Sequence, residues 1–90
     1  MKNPIRIPIE DTLDLHTFQA SEVPSLLEDY FSECVREKIF QVRIIHGKGS
    51  GMLKRRVHAV LSASKMVEAF SDAPPEAGGW GATLVTLKYP

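Results

Sequence analysis

Phe40-Gln41-Val42-Arg43-Ile44-Ile45-His46-Gly47-Lys48-Gly49-Ser50-Gly51 changes character halfway along, and that change decides the fold. Residues 40–45 are apolar-rich and β-branched over a short run, which is the composition of a buried strand. Glycines alternating with Lys48 and Ser50 then end it. Beyond them Leu53, Val57, Val60 and Leu61 recur at helical spacing, predicting a helix from about residue 52 to about residue 64. A strand that passes through glycines straight into a helix presents unpaired backbone N–H groups and the positive end of a helix dipole. An anion is the natural guest of such a junction.

Upstream, Val23, Leu26, Leu27, Tyr30, Phe31, Cys34 and Val35 mark an amphipathic helix, with Ser21 as its expected N-cap and Pro24 acceptable in the first turn. Before it, Thr12 to His16 alternates, so Leu13 and Leu15 share one side of a short strand and Asp14 and His16 the other. Residues 1–11, with prolines at 4 and 8, are expected to form an extended arm, and residues 12–90 the domain. Downstream, residues 66–70 read as a third strand. A loop with Pro74, Pro75, Gly78 and Gly79 follows, and residues 82–88 alternate as a fourth strand.

The order β-α-β-α-β-β predicts an α+β two-layer sandwich, a four-stranded mixed sheet with two helices. A strand, helix and strand at this spacing make a right-handed crossover between parallel strands. His16 and His46 then close two strands at the same carboxyl edge, where open α/β sheets place their ligands. If the second helix returns to a parallel strand, the loop carrying Gly79, Trp80 and Gly81 begins at that edge too.

The chain has 90 residues, 43% of them hydrophobic and 24% charged, enough for one modest core. Its single cysteine, Cys34, excludes an internal disulfide framework and a cysteine-rich zinc site; it falls on the apolar stripe, so a buried, inert thiol is expected. The sequence has no secretory h-region or membrane-length apolar run, and the expected setting is cytoplasmic, away from membranes. Net charge is zero, yet residues 10–37 hold eight acids and one base, whereas residues 39–67 hold six bases and no acid. An anionic partner is expected at the basic stretch.

Chemistry concentrates at the predicted edge. Gly47, Lys48, Gly49, Ser50 and Gly51 are expected to cradle phosphate, with Lys54, Arg55 and Arg56 positioning further phosphates from the first turns of the second helix. The spacing is too short for a Walker A loop. His16 and His46 are the candidates for moving protons, and Asp14 for orienting or charge-balancing His16. The alternative is that His46 caps its strand and His16 packs at the core rim. With RNA, a histidine would take the 2′-hydroxyl proton while the glycine turn stabilises the developing charge. With DNA, water must attack, and a divalent metal held by Asp14 and one or both histidines would serve that reaction, although the sequence contains no recognisable ligand set. Trp80 is expected to pack as a lid over the core, its alternative being to stack on an unpaired base. His58 is expected to be exposed.

Leu13-Asp14-Leu15-His16, then Ile44-Ile45-His46-Gly47-Lys48-Gly49-Ser50-Gly51, then Gly78-Gly79-Trp80-Gly81-Ala82-Thr83 resemble, in order, the three motifs of the Smr (small MutS-related) domain. Thr17 departs from the glycine usual in that family after the first histidine. The resemblance implies a fold similar to the carboxyl-terminal domain of the bacterial third translation initiation factor. It also implies a DNA-nicking or RNA-cleaving endonuclease, alone or joined to a MutS-like ATPase, with DNA or RNA as partner and a place in DNA repair or recombination. A non-catalytic module that docks on nucleic acid or the ribosome would use the same basic edge without either histidine. A protein-interaction domain would instead present Phe18 or the acidic first helix.

Overall fold

Val42 and Ile44 are 3% and 0% exposed while Gln41 between strand and solvent is open, so the central strand is covered on one face only. The computed structural model describes residues 11–89, and the arm expected over residues 1–11 lies, except for Asp11, outside them. Its strands are β1 (Thr12–Asp14), β2 (Gln41–Ile45), β3 (Val67–Asp72) and β4 (Ala82–Leu87), and its α-helices are α1 (Val23–Arg36) and α2 (Met52–Ala63). The sheet order is β1-β2-β4-β3. β1 and β2 are parallel, and β4 is antiparallel to both β2 and β3. The α+β architecture expected from the element order is therefore the observed one. β3 runs in the same sense as β2, with β4 between them, so the loop after β3 does begin at the edge where β1 and β2 end.

The inward residues of the sheet, Val42, Ile44, Val85 and Leu87, meet Val23, Leu27 and Phe31 of α1 and Val57 and Leu61 of α2 in one core. Cys34 lies inside it as a free thiol, and burial pushes its pKa up, which leaves it unreactive as expected. Among the described residues no helix is long and apolar enough to cross a membrane.

Element ends depart from the sequence reading for local reasons. β1 stops at Asp14 because that carboxylate accepts the His16 backbone N–H at 3.0 Å and turns the chain, although Leu15 N–H still reaches Ile45 O at 2.7 Å. Ser21 is not a helix cap: it lies within a 3-10 turn, Ala20–Glu22, in which Glu22 Oε1 accepts the Gln19 N–H at 2.9 Å. β3 extends to Asp72, beyond the expected Phe70, with an irregularity between Val67 and Ala69.

α1 ends in a Schellman arrangement, with Ile39 N–H donating to Cys34 O at 2.8 Å and Lys38 N–H to Val35 O at 3.0 Å. Lys38 pivots there at φ 63°, the left-handed region that disfavours a β-carbon. Lys38→Gly is expected to stabilise the domain by about 0.5–1 kcal/mol, the steric relief exceeding the extra chain entropy. Thermal melts should show the midpoint rising by roughly 3–6 °C; a lower midpoint would mean the lysine side chain holds the turn.

Candidate nucleic-acid interface

The turn that follows β1 brings His16 back onto its own strand end. His16 Nδ1 lies 2.6 Å from Asp14 Oδ1, the same oxygen that takes the His16 backbone N–H. A carboxylate only accepts, so Nδ1 donates, and the neutral ring's remaining lone pair is on Nε2. These two hydrogen bonds, backbone first and side chain second, hold the Asp14 carboxyl below its ordinary value. The His16 side chain is 59% exposed. The sequence left open whether the pair would touch; the turn makes them do so.

His46 sits two residues beyond Ile44 and so faces inward; it is 4% exposed. Its Nδ1 is 3.3 Å from Gly47 O and its Nε2 is 2.8 Å from Thr83 Oγ1, within β4. Thr83 Oγ1 is also 2.9 Å from Nε2 of His58, which α2 turns inward against Phe70. Polarity along this chain follows from the acceptors. A carbonyl cannot donate, so the neutral His46 ring carries its proton on Nδ1, its Nε2 accepts from the Thr83 hydroxyl, and His58 Nε2–H donates to that hydroxyl. Burial is the largest influence on both rings and lowers both pKa values, which favours this neutral state.

The expectation that His58 is exposed is thus corrected: it is half-buried and hydrogen bonded. Thr83 stands in the sequence reading only as the end of the third motif, with no role assigned to it. The available signal was its place on the Val85 and Leu87 side of β4, because a polar side chain on an inward face needs a partner.

The glycine turn is tied to the third motif. Gly81 O accepts from both His46 N–H, at 3.0 Å, and Gly47 N–H, at 2.9 Å. The donors left for an anion therefore lie further along, at residues 48–51 and at Leu53 and Lys54 in the first turn of α2, the Met52 N–H being taken by Ser50 Oγ at 3.3 Å; the N-cap, Gly51, takes φ 88° and itself makes no capping side-chain bond. A cleft of about 460 Å³ opens over this turn, lined by His16, Phe18, His46, Gly47, Gly49 and the start of α2 through Lys54.

The basic residues separate into groups. Lys48 lays its stem across Gly81, where a β-carbon would lie 2.8 Å from Lys48 Cγ, and its ammonium sits 5.7 Å from the centre of the Trp80 ring. Lys54 pairs with Asp72 at 3.1 Å and lies 5.8 Å from the same ring. Arg55 and Arg56 are exposed on the adjoining surface of α2. Arg43 instead donates to Ala77 O at 3.0 Å, and Lys65 lies beside the far end of α2. Trp80 does not form the expected lid, since it is 49% exposed.

A metal held by Asp14 and both histidines does not fit these residues. The Asp14 oxygen nearest His16 is taken by two N–H groups, and the His46 ring nitrogens are engaged with Gly47 and Thr83. Among the described residues, no three His, Cys, Asp or Glu side chains are grouped to hold an ion.

Comparison with known proteins places this geometry in context. The family model described as Smr domain matches residues 13–88. Endonuclease MutS2 of Finegoldia magna is 36% identical over 88 residues, covering 98% of this chain and 11% of its own length. Endonuclease MutS2 of Staphylococcus epidermidis is 37% identical over 83 residues, covering 92% of this chain and again 11% of its own. The chain thus spans about a tenth of the length of these relatives. The crystal structure of the Smr domain of Thermus thermophilus MutS2 superposes with a TM-score of 0.83 at 33% identity, covering 88% of this chain and 99% of that one. YdaL, a stand-alone small MutS-related protein from Escherichia coli, superposes with a TM-score of 0.81 at 26% identity, covering 90% of this chain and 66% of that one.

Proposed function

The chain belongs to the Smr domain family, and from that premise we propose that it binds nucleic acid at the glycine-turn edge and cleaves phosphodiester bonds there, with His16 moving the proton. The observation that carries this reading is the 2.6 Å contact between Asp14 and His16 beside the cleft. It orients an exposed imidazole and dictates its tautomer, which is what a general base requires. In RNA the base would draw the proton from a 2′-hydroxyl as that oxygen attacks phosphorus, and in DNA it would draw one from the attacking water; in each case the P–O bond to the leaving oxygen breaks and that oxygen takes its proton from solvent. Backbone N–H groups of residues 48–51 and the start of α2 would stabilise charge on the phosphorus oxygens. Lys48, Arg55 and Arg56 would hold neighbouring phosphates without reading sequence.

In this scheme His46 positions the turn and does not exchange protons, because both ring nitrogens are already engaged. Gly79 and Gly81 serve by shape, Gly81 giving Lys48 room to cross it. The MutS2 relatives, in which the matching segment is about a tenth of a longer chain, support a MutS-like companion for this domain, separate or fused.

Labelled single-stranded and branched DNA and RNA, incubated with the protein with and without chelator, should be cut, and RNA products should carry 2′,3′-cyclic phosphate termini. Binding is expected to weaken in Lys48→Ala/Arg55→Ala, with a flatter dependence on salt, as two phosphate contacts are lost. Tight binding to every substrate with no new termini would make the domain a docking module, the use for which the cations alone suffice. Affinity indifferent to both substitutions and to salt would remove nucleic acid as the partner.

A further inference from the structure

We infer that Trp80 is a stacking platform for one unpaired base, so that this edge takes single-stranded or splayed nucleic acid in preference to intact duplex. The inference rests on the reading above that the edge binds nucleic acid, and adds to it the conformation of the substrate.

Burying an indole is among the more favourable moves available to a small domain, yet Trp80 stays half open to solvent. The backbone beneath it is pinned: Gly79 N–H donates to Pro74 O at 2.9 Å, Gly81 N–H to Gly78 O at 3.1 Å, and Gly81 O receives the two N–H groups from the second motif. The turn that carries this exposed indole is thus fixed by hydrogen bonds on both sides of residue 80. Its π face draws the ammonium groups of Lys48 and Lys54 at 5.7 and 5.8 Å, and Lys54 also lines the cleft that contains His16. The ring therefore stands next to the groups that would meet the sugar-phosphate chain.

Phosphate entering the turn competes with the indole for the Lys48 ammonium, while Lys54 keeps its pairing with Asp72. As Lys48 shifts to phosphate, the ring face opens to the base of the adjoining nucleotide. A paired base within a duplex has both faces covered by its neighbours, whereas an unpaired base has a free face to offer. Stacking accepts any base, so the preference is for strand state and not for sequence.

Trp80 is the only tryptophan in the chain, so all tryptophan emission comes from this ring. Oligo(dT) and oligo(U) 12-mers are expected to quench it saturably, while a blunt duplex, binding through phosphates, leaves most of the emission intact. In fluorescence anisotropy with end-labelled oligonucleotides, Trp80→Ala should weaken single-strand binding by roughly tenfold or more and change duplex binding less than twofold, with Trp80→Phe in between. Unaltered emission at saturating single strand, or an equal loss for both substrates in Trp80→Ala, would overturn the inference while leaving nucleic-acid binding in place. Failure of the unmodified protein to bind either substrate would overturn the functional reading itself.

Discussion

His16→Ala is expected to lower the rate of phosphodiester cleavage by roughly two to four orders of magnitude while leaving substrate affinity within about threefold. The imidazole is exposed and contributes nothing to the core, so the folded domain survives its removal. The proposed phosphate contacts come from the turn and from α2, so binding should persist. Added imidazole is expected to restore part of the rate, because it supplies the missing base to a site that is otherwise intact. Asp14→Ala should give a smaller loss in rate: the base remains, but its tautomer and orientation are no longer held by the carboxylate. Cleavage by His16→Ala at the unmodified rate would remove this residue from the chemistry.

Thr83→Val is expected to be among the most destabilising changes of one atom group in this domain. Threonine and valine have nearly the same shape, so the loss is one of hydrogen bonds. His46 Nε2 would lose its donor and His58 Nε2–H its acceptor, the first of them fully inside the protein. Buried groups left unpaired cost about 1–3 kcal/mol each, so a total of about 2–4 kcal/mol is reasonable for one buried and one half-buried ring. For a domain of this size the melting midpoint should fall by roughly 10–30 °C. A midpoint within 2 °C of the unmodified protein would mean that the histidine and threonine contacts carry no weight.

The same network sets how stability responds to acid. Both rings have folded-state pKa values below that of an unfolded imidazole, about 6.5. Below that pH the unfolded chain binds more protons than the folded one, so unfolding is favoured as pH falls. The stabilisation is complete above about pH 6.5 and is lost progressively as pH drops through the lower folded-state values. Melts at pH 7.5, 6.5 and 5.5 should show this decline, and His58→Gln should flatten it by removing one of the two groups.

The fold was legible where periodicity changes sharply. The short apolar, β-branched run of residues 40–45, the glycines and the helical stripe from Leu53 to Leu61 have no good competing interpretation, and the β2–α2 junction matches them within a residue. The edge was legible because a right-handed crossover fixes where two strands end, and so brings Asp14, His16 and the glycine turn together. The missing parts depend on contacts across the sheet. His58 and Thr83 lie 25 residues apart, and a histidine one position from an apolar stripe looks the same whether it tips inward or outward. Lys38 in a left-handed turn and Asp14 ending its strand were hidden for another reason: neither residue type demands those conformations, so only the hydrogen bonds reveal them. Trp80 misled because tryptophan usually buries itself, whereas Lys48 within the glycine turn and Lys54 just after it gave its ring another place to be.

The strand order carries a consequence for how the protein comes into being. β4, the last of the four described strands in chain order, lies between β2 and β3, and its neighbour Gly81 ties down the glycine turn. A nascent chain that has emerged only as far as β3 holds two pieces of sheet with a gap where the middle belongs. Ribosomal synthesis must therefore run through residue 87 before either the core or the glycine-turn edge can close, so a prematurely terminated product would be unfolded and prone to aggregate, not a domain with part of its edge in place.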